Sequence, residues 1–248
     1  MQLQELREFC DDFLKIDDFK DYCPNGLQVE ANPEVRHIVC GVTACQALID
    51  AAVDAGADTL IVHHGYFWRG ESQPLTGIKG RRVTSLIRNR INLLAYHLPL
   101  DAHAEVGNNV QLARQMDWPI TGSGGEQGLL FEGRLEHPQS LEALLREIEQ
   151  RLDTRTLAID AGSHAIERIA WCTGAAQDFI ETAASWGVDV FVSGEISEQT
   201  CHQARELGLH YIAAGHHATE RFGVQALAAK IADRFDVRQQ FIDIANPV

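Results

Sequence analysis

Short apolar runs alternate along this chain with longer stretches in which apolar residues recur every three or four positions. The runs at 38–42, 59–62, 93–96, 166–171, 190–192 and 211–214 predict strands. Helical spacing predicts helices over 46–55, 108–116, 141–152, 176–186, 198–207 and 219–235, and another begins within the first nine residues. Strands interleaved with helices on this scale predict an α/β fold, with helices covering a sheet.

One strand and helix unit occurs twice. With a shift of 131, Gln46, Ile49, Ala52, Gly56 and Asp58 fall on Gln177, Ile180, Ala183, Gly187 and Asp189. Both copies lead to a strand that ends in His-x-x-x-carboxylate, His97 to Asp101 in the first and His216 to Glu220 in the second. A duplicated α/β unit explains the match. The expected organisation is a single integrated domain over 1–248, made of two pseudo-repeated halves, 1–118 and 141–248. The glycines and polar residues of 119–140 read as a connector. Two such halves side by side leave a cleft, and equivalent strand ends face it.

Composition narrows the function. With 45% apolar and 23% charged residues the chain reads as a globular protein, and no apolar run is long enough for a membrane span. Its first nine residues lack the pattern of a secretion signal, and the cytoplasm is the expected location. Six scattered cysteines without a CxxC pair point to neither disulfides nor a thiolate zinc site. A formal charge of −14 repels a phosphate backbone, so nucleic acid is an unexpected partner. The cluster Lys79, Arg81, Arg82, Arg88 and Arg90 is the main local exception, either a solvated helix face or a place for an anionic substrate.

The candidate chemistry lies in histidines at strand ends, where α/β proteins build their sites. His63 and His64 close an apolar strand before Gly65. Consecutive strand residues point to opposite faces, so the pair suits two adjacent ions better than one. His216 and Glu220 are spaced to share one helix face and clamp a cation. His97 and Asp101 share that spacing, but Pro99 delivers Asp101 from a loop. Imidazole and carboxylate without thiolate suit two divalent ions among zinc, iron, manganese, cobalt and nickel, which activate water near neutral pH. Glu195, on the position of His64 in the repeat, either supports the site or serves solubility, as do His103, His202, His210 and Glu198. Residues 25–28, Asn-Gly-Leu-Gln, read as a turn without chemistry.

Taken in order, Pro24-Asn25-Gly26-Leu27-Gln28-Val29, Gly41-Val42-Thr43, Ile61-Val62-His63-His64-Gly65, His97-Leu98-Pro99-Leu100-Asp101, Val192-Ser193-Gly194-Glu195 and Ala214-Gly215-His216-His217-Ala218-Thr219-Glu220 resemble the Nif-three-like proteins, also named GTP cyclohydrolase 1 type 2 homologues. The resemblance spans the chain and implies the short form of the family's fold. It implies two metals on His63, His64, Asp101, His216 and Glu220, and a ring-shaped homohexamer. For activity it implies a metal-dependent hydrolase opening the imidazole ring of GTP with release of formate, with His97 or His217 moving a proton. Phosphoester hydrolysis, or a metal-stabilised ring that binds a protein or nucleic-acid partner, are the alternatives.

Overall fold

The structure, a computed structural model, describes residues 1–248. In chain order the first elements are α1 (Leu3–Leu14), β1 (Gly26–Val29), β2 (His37–Thr43), α2 (Gln46–Asp54), β3 (Thr59–His64), α3 (Gly77–Arg88), β4 (Asn92–Ala95) and α4 (Leu98–Ala102). Then come α5 (Asn108–Met116), β5 (Ile120–Gly124), β6 (Leu130–Gln139), α6 (Leu141–Leu152), β7 (Leu157–Ile159), β8 (Ile166–Cys172), α7 (Ile180–Ser185), β9 (Val190–Ser193), α8 (Glu198–Leu207) and β10 (His210–Ala213). The chain closes with α9 (His216–Thr219), α10 (Arg221–Phe235) and β11 (Arg238–Phe241). The fold is mixed α/β with two sheets. No helix is long and apolar enough to cross a membrane.

The chain forms two compact units, Met1–Val106 with Gly223–Ile244, and Gly107–Phe222 with Ala245–Val248. In the first, the sheet order is β1-β4-β3-β2-β11, with β2, β3, β4 and β11 parallel and β1 antiparallel. In the second, the order is β5-β6-β8-β9-β10-β7, with β8, β9 and β10 parallel and β5, β6 and β7 joined antiparallel. Buried apolar side chains fill both faces of the parallel strands, as in Ile38, Val39, Leu60, Ile61, Leu93 and Leu94 of the first unit.

The predicted repeat is present down to single hydrogen bonds. β2 pairs with β3 as Ile38↔Thr59, and β8 pairs with β9 as Ile169↔Val190, the same register displaced by the same shift. Asp58 Oδ2 accepts the backbone N–H groups of Arg36 and His37 at 2.8 and 3.0 Å. Asp189 Oδ2 accepts those of Glu167 and Arg168 at 2.8 and 2.7 Å. Each aspartate thus anchors the beginning of the neighbouring parallel strand, β2 in the first unit and β8 in the second.

Several expectations need correction. Residues 119–140 are not a connector: they supply β5 and β6, and β6 pairs with β8 beside Trp171. Gly133, which reads as a loop signal, lies in β6 between Ile120 and Ile169, and is glycine there because a side chain would overlap the Pro119 carbonyl and crowd the Trp171 ring. Nor does the second half run from 141 to 248. Residues 107–118 already belong to the second unit, and 223–244 return to the first, where Arg238 pairs with His37. The segment 25–28 is largely strand: Gly26 begins β1 with φ +96°, opposite Ala95 of β4. The helix expected over 219–235 breaks at Glu220, and that over 176–186 starts as a 3-10 turn, Gln177–Phe179.

The paired aspartates generate a test. Asp58→Ala and Asp189→Ala each remove two side-chain hydrogen bonds to partly exposed backbone N–H groups, and each is expected to cost about 0.5–1.5 kcal/mol in urea unfolding. Stability unchanged in both variants would contradict the anchoring role.

Candidate metal centre

In the first unit the parallel strands bring three histidines together at their carboxyl ends. His63 is fully buried, and its Nδ1 donates to the Tyr96 carbonyl at 2.8 Å. That bond leaves Nε2 as the ligand atom, 3.4 Å from Asp101 Oδ1. His64 Nδ1 lies 3.1 Å from Thr43 Oγ1, at the end of β2. His97 Nδ1 donates to Asp21 Oδ1 at 2.8 Å. Ligand atoms of the three rings lie within 4.8 Å of one another. The rings of His63 and His64, expected on opposite faces, have centroids 4.5 Å apart. The last β3–β4 pair is Val62↔Ala95, so both histidines lie beyond that ladder, while β2 still pairs Thr43 with His64.

The second unit places its candidate ligands at the corresponding strand ends. His216 opens α9 after β10, with Nδ1 2.7 Å from Glu195 Oε1 and Nε2 3.1 Å from Glu220 Oε2. Burial pushes the imidazole pKa down, but the hydrogen bond and charge of Glu220, helped by Glu195, outweigh it and raise the value to about 9. At neutral pH a proton therefore sits between His216 and a buried carboxylate, a position in which a divalent cation could replace it.

The sequence model of the family described as Duf34/NIF3 (NGG1p interacting factor 3) matches residues 1–247. The chain belongs to this family. The protein named GTP cyclohydrolase 1 type 2 homolog from Pseudomonas aeruginosa is 52% identical, with 99% of this chain and 98% of that one covered. Its namesake from Escherichia coli K12 is 50% identical over the whole of both chains. Among solved structures, the protein ybgI, described as of unknown function, matches with a TM-score of 0.96 at 49% identity over both full chains. A protein from Thermus thermophilus matches with a TM-score of 0.92 at 35% identity, again over both full chains.

The donor set of this DUF34/NIF3 chain fits divalent metal. All four histidines turn Nδ1 to an oxygen, the arrangement that fixes a ligating imidazole and leaves Nε2 for the ion. Glycines make the room. Gly174 has φ +70°, and a Cβ there would overlap Glu220 Oε1 and crowd His216 Nε2. A Cβ on Gly194 would strike the His216 backbone.

The two His-x-x-x-carboxylate motifs are not equivalent. β4 aligns Asn92 with Thr59 of β3, and β10 aligns His210 with Val190 of β9, so the counterpart of His216 is Leu98. His97 therefore pairs with Asp21 and not with Asp101, which faces His63. His217, the other expected proton carrier, is buried on α9 and stands outside the clustered ligand groups. Glu195 bonds His216, while His202 makes an exposed pair with Glu198 and His210 stacks on His164.

Asp21 and Asn25 were invisible as site residues in the sequence. Burial raises the Asp21 carboxyl, but His97, the Asn25 amide and the Leu98 N–H lower it further, to about 2. Asn25 Oδ1 also accepts the His97 N–H at 2.7 Å, and Gln28 bonds both backbone polar groups of Tyr66, just past the His-His pair. The start of β1, with Asn25 just before it, thus holds the first cluster. The basic cluster is dispersed: Lys79 is buried against Glu71, 3.5 Å away, and the Ser72 carbonyl, whereas Arg81 and Arg88 line a concavity along α3.

Gly174→Ala is expected to push Glu220 aside. Measured by metal titration, affinity should fall at least about tenfold with the fold retained by circular dichroism. Unchanged affinity would mean that Glu220 is not a ligand.

Proposed function

We propose that His63, His64, Asp101, His216 and Glu220 together hold two divalent ions, drawn from zinc, iron, manganese, cobalt and nickel, and that the protein is a metal-dependent hydrolase. The observation that carries this reading is the common orientation of the four histidines, each with Nδ1 anchored on oxygen. The substrate we propose is a small anionic molecule, GTP first, in keeping with the names of the relatives. The site then opens the imidazole ring with release of formate. A reducing compartment such as the cytoplasm fits six cysteines that form no disulfide.

Bound divalent ions supply an activated water and positive charge for an anion. The chain's own residues do the rest. Asp21 and Asn25 fix His97 with Nε2 toward the other two rings. There it takes up the proton lost as water adds to the purine C8, and returns it to the ring nitrogen as the C–N bond breaks. A second water then releases the formyl carbon as formate.

Metal-loaded protein is expected to release formate from GTP. His64→Ala should abolish release, and His97→Ala should slow it about 10²–10⁴-fold. Inorganic phosphate without formate would move the reaction to phosphoester hydrolysis. No turnover with metal bound would favour a scaffold ring with a protein or nucleic-acid partner, against which the charge of −14 counts for nucleic acid.

We further propose a homohexameric ring, for which exposed Leu75, Ile78 and Ile87 on and beside α3 offer apolar surface. Light scattering should give about six times the chain mass. A value near 27.5 kDa at micromolar concentration would overturn this.

A further inference from the structure

The loop after the His-His pair is held in a conformation that its own sequence disfavours. Phe67 has φ +66°, a left-handed backbone that a bulky aromatic residue rarely adopts. The surroundings enforce it. The backbone N–H groups of Phe67 and Trp68 both donate to Glu71 Oε2, at 2.7 and 3.2 Å. Glu71 faces the buried Lys79, whose ammonium lies 5.4 Å from the Phe67 ring centroid. Strain that is over-determined in this way collects at ligand sites.

The conformation delivers Trp68 to the histidine cluster. Its indole N–H donates to the Gly65 carbonyl at 3.1 Å, and its ring meets His97 edge to face at 4.9 Å and His64 at 6.0 Å. On another loop Tyr22 stands 55% exposed, 6.1 Å from the His97 ring. A tyrosine that exposed adds little to folding. The two loops are tied together: Arg69 N–H donates to the Tyr22 carbonyl at 2.6 Å, and its guanidinium to the Asp21 carbonyl at 3.3 Å. An exposed cation thereby ties together the two loops that carry these aromatic residues, at the edge of the candidate centre.

We infer that Tyr22 and Trp68 form a platform for a planar heteroaromatic ring, and that Arg69 binds the phosphate carried by the same ligand. The ligand class is a nucleotide, selected by stacking and charge and not by base-edge hydrogen bonds. The inference rests on the histidine cluster being the reaction centre, and it supplies the anion contact that buried Lys79 does not. Stacking of a base on an aromatic side chain tolerates any base, so guanine and adenine nucleotides should both bind.

The test is calorimetry on the metal-loaded full chain, with GMP and ribose 5-phosphate as probes. GMP should bind at least about tenfold more tightly, the factor that about 1.4 kcal/mol of stacking gives. Trp68→Ala and Tyr22→Ala should each remove most of that advantage, leaving ribose 5-phosphate affinity and metal content unchanged. Trp68→Phe should restore it, and Arg69→Ala should weaken both probes alike. Equal affinity of the native protein for the two probes would overturn the platform, as would GMP affinity within twofold of native in both alanine variants. Loss of both probes together in Trp68→Ala would also overturn it, as a general disturbance of the loop. A ring preference that persists while no formate is ever released supports the platform and removes only the ring-opening reaction.

Discussion

The bond from His63 Nδ1 to the Tyr96 carbonyl joins the ends of two neighbouring parallel strands, and the first cluster is arranged around it. A carbonyl can only accept, so the bond settles which ring nitrogen carries hydrogen and which is left for a cation. The same step aims Nε2 at Asp101. Tyr96 is itself held, its hydroxyl donating to Asp11 at 2.9 Å and its backbone N–H to Val62. The neighbouring histidines repeat the device with Thr43 and Asp21. A ligand sphere oriented by fixed backbone and buried side chains loses little entropy when an ion arrives.

Duplication explains how the other candidate ligands came to comparable places, and divergence explains why they differ. The strand pairs keep one register in both units, and Asp58 and Asp189 anchor them identically. By the shift of 131, Thr43 corresponds to Gly174, His63 to Gly194 and His64 to Glu195. The first unit thus uses two histidines on one strand end. The second replaces side chains by glycines there, which leaves space for Glu220 and for the backbone of His216.

Much of this was legible in the sequence because apolar strands between amphipathic helices have an unmistakable period. The helices Asn108–Met116, Leu141–Leu152 and Glu198–Leu207 appear with the predicted bounds. What failed had specific causes. Gly133 looked like loop punctuation, yet it marks a strand squeezed against Pro119 and Trp171. β11 pairs with a strand some two hundred residues earlier, a partner that no local pattern encodes. Among site residues, strand-end histidines stood out, but Asp21 and Asn25 act across more than seventy positions of sequence. The matching spacing of His97–Asp101 and His216–Glu220 misled, since the strand register places the two histidines one residue out of step.

Elemental analysis of protein purified after metal loading decides whether His63, His64, Asp101, His216 and Glu220 hold two ions as proposed. The native chain should carry two divalent ions per chain, and Asp101→Ala and Glu220→Ala should each carry one or none while remaining soluble and folded. Two ions per chain in both variants would show that neither Asp101 nor Glu220 is a ligand.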